Sequence, residues 1–327
     1  MNMVRTFSLL LLTALVAACA KKPQPPASEP AQATQPSPAA QAAAMDANVS
    51  EFGIGEYSAV ALKDGEIRIA NDGKTFGIGH SPEEVANLLR AAGVPTNELV
   101  LGLQPLFVKA GDKGLLFDTG AGRNMGESGG RLVASMQQAK IDPASVTDIF
   151  VSHAHGDHVG GLVDASGALA FPNATIHMSA AEWDFLKGMD DKAAANVGIT
   201  NHAALIAAVT PKIAAFAPGS EILPGSVKAV EIRGHTPGHS GYLITSTSGK
   251  DSLLYIGDAA HHYIVSVQQP DWTVNFDTDA PTAQASRREL IARSATTGQR
   301  IYAVHFPFPG LGKFEQRGDG FVWVAER

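Results

Sequence analysis

Four potential metal ligands lie within six residues at one point of the chain. His153, His155, Asp157 and His158 form the sequence HAHGDH, which directly follows the short apolar segment 149–151. Burying imidazole and carboxylate groups side by side is costly unless a partner compensates them. The two ligand types together suit Zn, Fe, Mn or Co. The cluster therefore predicts a metal site at the end of a short buried strand.

The spacing within this loop suits more than one ion. If the loop begins extended, the side chains of residues 153, 155 and 157 project to one side and that of His158 turns to another. Gly156, Gly160 and Gly161 permit sharp turns and close approach of the backbone. The loop can therefore serve two adjacent metal ions.

Three later segments have a similar layout, in which an apolar strand ends at a residue able to bind metal. They are 230–232 followed by His235 and His239, 253–256 followed by Asp258, and 302–304 followed by His305. Side chains at strand ends are held rigidly by the sheet, so functional groups collect there. Together with the histidine cluster, the three segments predict one composite site.

The composition is that of a large globular protein. The chain has 327 residues, of which 45% are hydrophobic, and a net charge of -7. It has no basic cluster, so nucleic acid is not an expected partner. Strand and helix patterns alternate without a clean division, which predicts a single α/β domain over residues 49–327.

The first 48 residues have a different character. Residues 1–5 are positively charged, residues 7–18 are apolar, and the only cysteine of the chain, Cys19, follows. This resembles a lipoprotein-type signal peptide (1–18), with Cys19 lipidated and the protein anchored at the periplasmic side of the bacterial outer membrane. The alternative is an ordinary secretory signal and a soluble periplasmic protein. Residues 19–48 are rich in Pro and Ala and predict a disordered tether.

Local patterns predict the secondary structure. Residues 57–62 and 66–70, separated by Lys63-Asp64-Gly65, predict a hairpin. Ser81, Pro82 and Glu84 predict a capped helix start. Further helices are predicted at 131–140, 180–187 and 282–294, and further strands at 99–109, 114–117, 149–151, 227–232, 241–245, 252–256 and 301–304.

The order of the ligand residues resembles the metallo-β-lactamase superfamily. Asp118-Thr119-Gly120, after an apolar strand, matches another motif of that family. The resemblance implies an αββα sandwich in a single domain, with a dinuclear site of Zn or, alternatively, Mn, Fe or Co. In the ligand set that it implies, the first ion has His153, His155 and His239, the second has Asp157, His158 and His305, and Asp258 bridges the two. Of the two histidines in GHTPGH, the resemblance implies that His239 is a ligand and that His235 is not. Asp118 is expected to orient a ligand histidine.

Within the superfamily, the C-terminal half resembles methyl parathion hydrolase and related lactonases. The matching stretches are 257–261, 274–279 and 305–312. This resemblance implies a hydrolase in which a metal-bridging hydroxide attacks a neutral ester or phosphotriester. Asp258 and His261 are the predicted catalytic residues, with His261 either donating a proton or supporting a ligand. A homodimer is a further expectation by resemblance.

The alternatives differ in substrate. An N-acyl-homoserine lactonase is the nearest, although lactonases of this superfamily commonly have Tyr at the position of His261. A β-lactamase or a sulfur dioxygenase is disfavoured by the scarcity of cations in the ligand loops and by the presence of His305, respectively. The same scarcity predicts a neutral, partly apolar small-molecule substrate. Aromatic residues proposed to line its pocket are Phe306, Phe308, Trp183 and Trp272.

Overall fold

The structure is a computed structural model that describes residues 48–326. The predicted signal peptide 1–18, the lipidation site Cys19 and nearly all of the predicted tether lie outside the described residues. Within residues 48–326, no helix has the length and apolar character needed to cross a membrane.

Strands make up most of the regular structure of the described chain. They are β1 (Val49–Ile54), β2 (Tyr57–Leu62), β3 (Gly65–Ala70), β4 (Phe76–Ile78), β5 (Glu98–Leu103), β6 (Leu106–Ala110), β7 (Lys113–Phe117), β8 (Asp148–Phe150), β9 (Thr175–Ser179), β10 (Ile213–Phe216), β11 (Glu221–Leu223), β12 (Val227–Glu231), β13 (Ser240–Thr245), β14 (Ser252–Tyr255), β15 (Thr273–Val274), β16 (Arg300–Tyr302), β17 (Leu311–Arg317) and β18 (Gly320–Ala325).

Helices connect and cover these strands. The α-helices are α1 (Pro82–Ala91), α2 (Leu132–Gln138), α3 (Gly156–Val159), α4 (Ala180–Gly188), α5 (Asp191–Asn196), α6 (His202–Val209), α7 (Val265–Gln268) and α8 (Ala280–Thr297). Short 3-10 turns occupy Gly126–Ser128, Pro143–Ser145, Gly160–Leu162, Thr210–Lys212 and Gly257–Ala259.

Two seven-stranded sheets form the centre of the fold. Their strand orders are β1-β2-β6-β7-β8-β9-β10 and β11-β12-β13-β14-β16-β17-β18. Central strands such as β7, β8 and β14 are buried on both faces, as expected when each sheet packs between helices and the other sheet. In β7, for example, Leu115 and Phe117 face the second sheet, whereas Leu116 faces the helices outside the first.

The hydrophobic core follows these layers. One cluster lies between the first sheet and helices α2 to α6, a second joins the inner faces of the two sheets, and a third packs the outer face of the second sheet against Leu290 and Ile291 of α8. A fourth cluster joins α1 to β3, β4 and β5. This arrangement confirms the predicted αββα sandwich.

The topology brings together the carboxyl ends of four strands, β8, β12, β14 and β16. Strand β8 is parallel to β7 and β9 in the first sheet, and β14 is parallel to β16 in the second. Because β13 is antiparallel to both β12 and β14, the loop between β12 and β13 reaches the same edge as the end of β14. The amide of Ser240 donates to the carbonyl of Ser152 at 2.9 Å, which joins the two sheets at this edge.

Most predicted helices and strands are present, with shifts of a few residues at their ends. The capping box at α1 is confirmed, since Ser81 and Glu84 each accept a hydrogen bond from the other's backbone amide. The predicted strand 99–109 is in fact two strands, β5 and β6, which are separated by Gln104 and Pro105. Proline cannot donate to a strand ladder, and β5 and β6 belong to different sheets.

The predicted hairpin of residues 57–62 and 66–70 is wrong. Strand β2 pairs with β1 and β6, and β3 pairs with β5. Between them, the buried carboxylate of Asp64 accepts hydrogen bonds from the amides of Ala121, Gly130 and Leu132. These long-range hydrogen bonds direct the chain after Asp64 away from β2. The turn residues 63–65 therefore do not decide which strand β3 pairs with.

Asp148 stabilises the start of β8 in a pH-dependent way. Its carboxylate contacts Lys113 at 3.0 Å, the Thr147 hydroxyl at 2.8 Å and the His177 ring at 2.9 Å. Burial alone would raise the pKa of Asp148, but these donors outweigh it and lower the pKa to about 2. A lowered carboxyl pKa stabilises the fold above the pKa of the unfolded chain, and this stabilisation is lost as the pH falls through the folded value.

We therefore expect Asp148→Asn to lower the free energy of unfolding at pH 7 by about 1 kcal/mol, a value that allows for solvent screening at the exposed Lys113. The difference from the unsubstituted protein should shrink as the pH falls from about 4 to about 2. Urea unfolding of both proteins at a series of pH values measures this difference in the free energy of unfolding. Asp112→Asn, at an exposed carboxylate in the turn before β7, is the control. A difference that stays constant from pH 7 to pH 2 would contradict this role.

Candidate metal centre

Seven imidazole and carboxylate side chains converge at the edge where the four strands end. They form two groups in which the potential ligand atoms lie within 4.8 Å of one another. The first group consists of His153, His155, His235 and Asp258, and the second of Asp157, His158 and His305. Each comes from a loop that follows a strand, so the two sheets hold the groups in place.

The first group is tightly spaced. The Nε2 atom of His235 lies 3.1 Å from Nε2 of His153 and 3.2 Å from Nδ1 of His155. The Oδ2 atom of Asp258 lies 3.6 Å from the His153 nitrogen and 3.4 Å from the His235 nitrogen. Nitrogen ligands on a tetrahedral zinc ion are about 3.3 Å apart, so these separations fit ligands of one ion.

The second group shares the same carboxylate. The Oδ1 atom of Asp258 lies 3.2 Å from Nε2 of His158 and 3.0 Å from Nε2 of His305. Asp157 is 3.5 Å from the first of these nitrogens and 3.6 Å from the second. The Oδ2 atom of Asp258 also lies 3.1 Å from Nε2 of His305, so this carboxylate lies between the two groups and contacts both.

Unpaired buried atoms also fit a metal centre. Six buried side-chain nitrogen and oxygen atoms of the described chain have no hydrogen-bond partner, and they include Nε2 of His158, Oδ1 of Asp258 and both ring nitrogens of His261. Such atoms are costly to bury without a partner. Two of them lie in the ligand groups, where a cation would satisfy them.

The structure places His235 in the first group where His239 was expected, which corrects the sequence prediction. Both ring nitrogens of His239 have backbone partners, the Ile232 carbonyl at 2.9 Å and the Asp258 amide at 2.9 Å. With Nδ1 donating and Nε2 accepting, the His239 ring is fully used. The His239 ring therefore stabilises the loop of Asp258 through the Asp258 amide and is not one of the side chains of the first group.

Four of the five clustered histidines have a partner on the ring nitrogen that faces away from the groups; for His153 it is the Ser152 hydroxyl, 3.0 Å from Nδ1. Nδ1 of His305 contacts the Gly102 carbonyl at 2.7 Å, and Nδ1 of His235 contacts Asp277 at 3.0 Å. Nδ1 of His158 lies 2.7 Å from Oδ2 of Asp118, so Asp118 contacts one of the clustered histidines, as its predicted orienting role requires. Such outer partners fix the tautomer and direct the other nitrogen inward.

Two of these partners are themselves buried and firmly held. Asp118 also accepts hydrogen bonds from the Ser152 amide, the Ser152 hydroxyl and the Tyr255 hydroxyl. Asp277 binds the guanidinium of Arg287 at 2.7 Å, and Arg287 is almost completely buried. Sequence reasoning missed Asp277 and Arg287 because they lie 42 and 52 residues after His235, with no local motif to connect them.

The electrostatics suit neutral imidazoles beside ionised carboxylates. Burial lowers the pKa of His155 to about 4 and that of His153 and His235 below the usual range. Burial would raise the pKa of Asp258, but the surrounding histidines, His305 foremost, hold it well below its usual value. Neutral imidazole and ionised carboxylate are the forms that bind metal.

His158 differs from these neutral histidines. Burial alone would lower its pKa, but the carboxylates of Asp258, Asp157 and Asp118 outweigh burial and raise the pKa well above the usual range. The ring thus lies against three carboxylates, of which Asp157 belongs to the second group, Asp258 to the first and Asp118 to neither.

Glu182, near the start of α4, joins the two histidine loops and was also missed from the sequence. Its carboxylate accepts hydrogen bonds from the amide of Ala154, the hydroxyl of Thr236 and the amide of Gly238. Burial raises the pKa of Glu182 to about 7, although these three donors oppose the shift. The only sequence signal was its position in a predicted helix.

His261 lies beside the ligand groups, as expected. Its Nε2 atom is 3.2 Å from Oδ2 of Asp258, and its ring is 5.5 Å from that of Phe276. Phe276 is 37% exposed, so an apolar surface borders the site at this point. Phe306, by contrast, is fully buried against Phe314 and Trp323, and its predicted role in lining a pocket is wrong.

The chain matches a known family over most of its described length. The profile of the metallo-beta-lactamase superfamily matches residues 105–305. No curated protein sequence matches the chain significantly.

Solved structures are similar over nearly their whole length. AidC, described as a dizinc quorum-quenching lactonase in complex with a product, has 32% identity and a TM-score of 0.79, covering 86% of this chain and 98% of its own. AbOPH, described as a hydrolase in the beta-lactamase superfamily, has 25% identity and a TM-score of 0.76 with the same coverage. A probable metal-dependent hydrolase from Staphylococcus aureus, at 19% identity and a TM-score of 0.67, shares the fold; it covers 84% of this chain and 99% of its own.

Proposed function

Because the chain belongs to the metallo-β-lactamase superfamily, we propose that it is a dinuclear metal-dependent hydrolase of neutral lactones and related esters. The observation that carries this proposal is the pair of ligand groups sharing one carboxylate: Oδ1 of Asp258 lies 3.2 Å from Nε2 of His158 in one group, and Oδ2 lies 3.4 Å from Nε2 of His235 in the other. Zinc is the proposed metal, and the dizinc centre of AidC supports it.

The proposed ligands follow the geometry of the two groups. One ion would be held by His153, His155 and His235, the other by Asp157, His158 and His305, and both by Asp258. A pair of divalent ions bound there supplies activated water at neutral pH and polarises the oxygen that gains charge during hydrolysis. No serine or cysteine nucleophile is then needed.

The chain's own residues orient the reaction. Asp258 sets the separation of the two groups. Its backbone amide donates a hydrogen bond to Nε2 of His239, which holds the Asp258 carboxylate in position. His261 has its Nε2 atom beside Asp258, and we assign to it the donation of a proton to the leaving oxygen. The ring of His261 is held between those of His235, at 4.9 Å, and His305, at 5.8 Å.

The charges near the site favour a neutral substrate. The buried guanidinium of Arg287 is occupied by Asp277 and by the carbonyls of Ala259 and Pro270, so it is not presented to a ligand. Arg233 lies next to the histidine loop but is exposed and pairs with Glu231. A site for a carboxylate or phosphate monoester usually supplies free Arg or Lys donors.

Two neutral substrate classes are supported by different observations. The similarity to AidC supports a lactone such as an N-acyl-homoserine lactone, and it places this alternative ahead of the phosphotriester that the sequence had favoured. The resemblance of residues 257–261, 274–279 and 305–312 to methyl parathion hydrolase supports a phosphotriester as the second candidate. Both classes place a neutral electrophilic centre beside the metal groups.

Metal removal and a substrate comparison test the proposal together. We expect treatment with a chelator to abolish hydrolysis and Zn, Mn or Co to restore it, because activation of water depends on the metal. Values of kcat/KM should be measured for an acyl-homoserine lactone, a dialkyl aryl phosphotriester and an aryl ester, with metal content determined on the same sample. The lactone is expected to have the highest value.

Two outcomes would contradict this function. Full activity in protein shown to be free of metal would exclude the dinuclear mechanism. A phosphotriester hydrolysed more than tenfold faster than the lactone would make the second candidate the principal one.

A further inference from the structure

The backbone contacts of Glu182 join two loops that carry the ligands of the first group. On one side, Oε1 of Glu182 accepts a hydrogen bond of 2.7 Å from the amide of Ala154, which stands between His153 and His155. On the other side, Oε2 accepts bonds of 2.8 Å from the Thr236 hydroxyl and 2.8 Å from the Gly238 amide, both in the loop of His235. Each carboxylate oxygen thus holds one loop.

The start of helix α4 holds the second loop from both sides. The hydroxyl of Ser179, which caps this helix, donates to the carbonyl of Gly238 at 2.7 Å, while the Gly238 amide donates to Glu182. A Cβ atom added at Gly238 would lie 2.2 Å from the Glu182 nitrogen and 2.3 Å from the Ser179 hydroxyl. The loop therefore lies so close to the helix that only glycine fits there.

Glu182 does not face the ligand groups themselves. It is fully buried, and it accepts hydrogen bonds from two backbone amides and one hydroxyl. A buried carboxylate without cationic partners is costly, which indicates that its hydrogen bonds stabilise the packing of the segments that they join. The parts joined here, residues 153–155 and 235–238, are about 80 residues apart in the chain.

We propose that Glu182 is a positioning residue that fixes the distance between the His153/His155 loop and the His235 loop, and thereby the geometry of the first metal group. The inference rests on the proposed dinuclear site. The separations of 3.1 and 3.2 Å among the three imidazole nitrogens depend on how the two loops meet, and the Glu182 carboxylate spans that junction.

Two conservative substitutions test this role. Glu182→Gln keeps the shape but places an NH2 group against the amide donors of one loop, so one side of the link is lost. Thr236→Val removes a single hydroxyl donor, and Thr236→Ser restores it. Asp184→Asn, at a carboxylate of the same helix that is 73% exposed, is the matched control.

The readout is metal binding, which does not require turnover. Zn²⁺ affinity is measured by competition with a chromophoric chelator, and the absorption spectrum of the Co²⁺-substituted protein reports ligand geometry. We expect Glu182→Gln and Thr236→Val to weaken binding of one of the two ions by about 10- to 100-fold and to alter the Co²⁺ spectrum. Thr236→Ser and Asp184→Asn should resemble the unsubstituted protein.

The outcomes separate this inference from the proposed function. If Glu182→Gln and Thr236→Val lower only the Tm, with Zn²⁺ affinity and the Co²⁺ spectrum unchanged in folded protein, Glu182 has a merely structural role and the inference is overturned. If Glu182→Gln does not fold, the comparison of Thr236→Val with Thr236→Ser decides alone. An unsubstituted protein that binds no Zn²⁺ overturns the dinuclear site, and the inference with it.

Discussion

Replacing Asp258 with alanine is expected to lower kcat/KM by about 10³-fold or more and to reduce the bound metal from two ions to one or fewer per chain. Both effects have the same cause, because this carboxylate contacts both ligand groups. A metal ion contributes several kcal/mol of transition-state stabilisation, and each 1.36 kcal/mol corresponds to a factor of ten in rate. Elemental analysis and steady-state kinetics on one preparation measure the two effects.

A second substitution separates charge from shape at this position. Asp258→Asn retains the size of the side chain and one oxygen but presents an amide to one of the two groups. We expect it to lose most of the activity as well, since a neutral amide cannot offset the charge of two cations. Asp319→Ala, at an exposed carboxylate in the turn between β17 and β18, is the control for handling and expression. Near-normal activity and two bound ions in Asp258→Ala would rule out the bridging role.

His235→Ala is expected to lose one metal ion and about 10²- to 10³-fold in kcat/KM, whereas His239→Ala is expected to keep both ions. The reason is that Nε2 of His235 lies among the ligand atoms of the first group, whereas both nitrogens of His239 bind backbone. His239→Ala leaves the Ile232 carbonyl and the Asp258 amide without partners. We expect a loss of about 3 kcal/mol in the free energy of unfolding.

Metal content per chain distinguishes the two histidines directly. Because His239 supports the Asp258 loop, its removal can also reduce activity, so kinetics alone do not separate the roles. If His239→Ala does not fold, His239→Gln provides the same comparison, since the glutamine amide offers both a donor and an acceptor. A His239 variant that lacks one ion, beside a His235 variant that keeps two, would reverse the assignment made from the geometry.

The sequence was informative wherever the relevant residues lie close together in the chain. His153, His155, Asp157 and His158 share one loop, so their proximity follows from covalent structure alone. Short apolar runs also indicated strands such as β8 and β14, because a strand that is covered on both faces is apolar at successive positions. The capping pattern at Ser81 predicted the start of α1, because the residues of a capping box are only three positions apart in the chain.

Local signals failed where distant segments compete for the same residues. The turn at residues 63–65 suggested a hairpin, but the Asp64 carboxylate binds amides more than 50 residues further on, and β2 and β3 find different partners. The aromatic ring of Phe306 follows a ligand histidine in sequence, yet it packs into the core of the second sheet. Nothing in either segment alone indicates these long-range contacts.

By itself, the sequence determined that this chain builds a metal site from strand-end loops within an αββα sandwich, and it supplied six of the seven side chains that the structure brings together. Only the tertiary structure decided between His235 and His239. Both stand in one GHTPGH segment, and the sequence gives their rings equal access to the site. The choice depends on the Asp277 and Glu182 carboxylates, which reach this loop from elsewhere in the chain and orient it. Hydrogen bonds between distant segments exist only once the sheets have packed, so the ligand that they select cannot be read from local sequence.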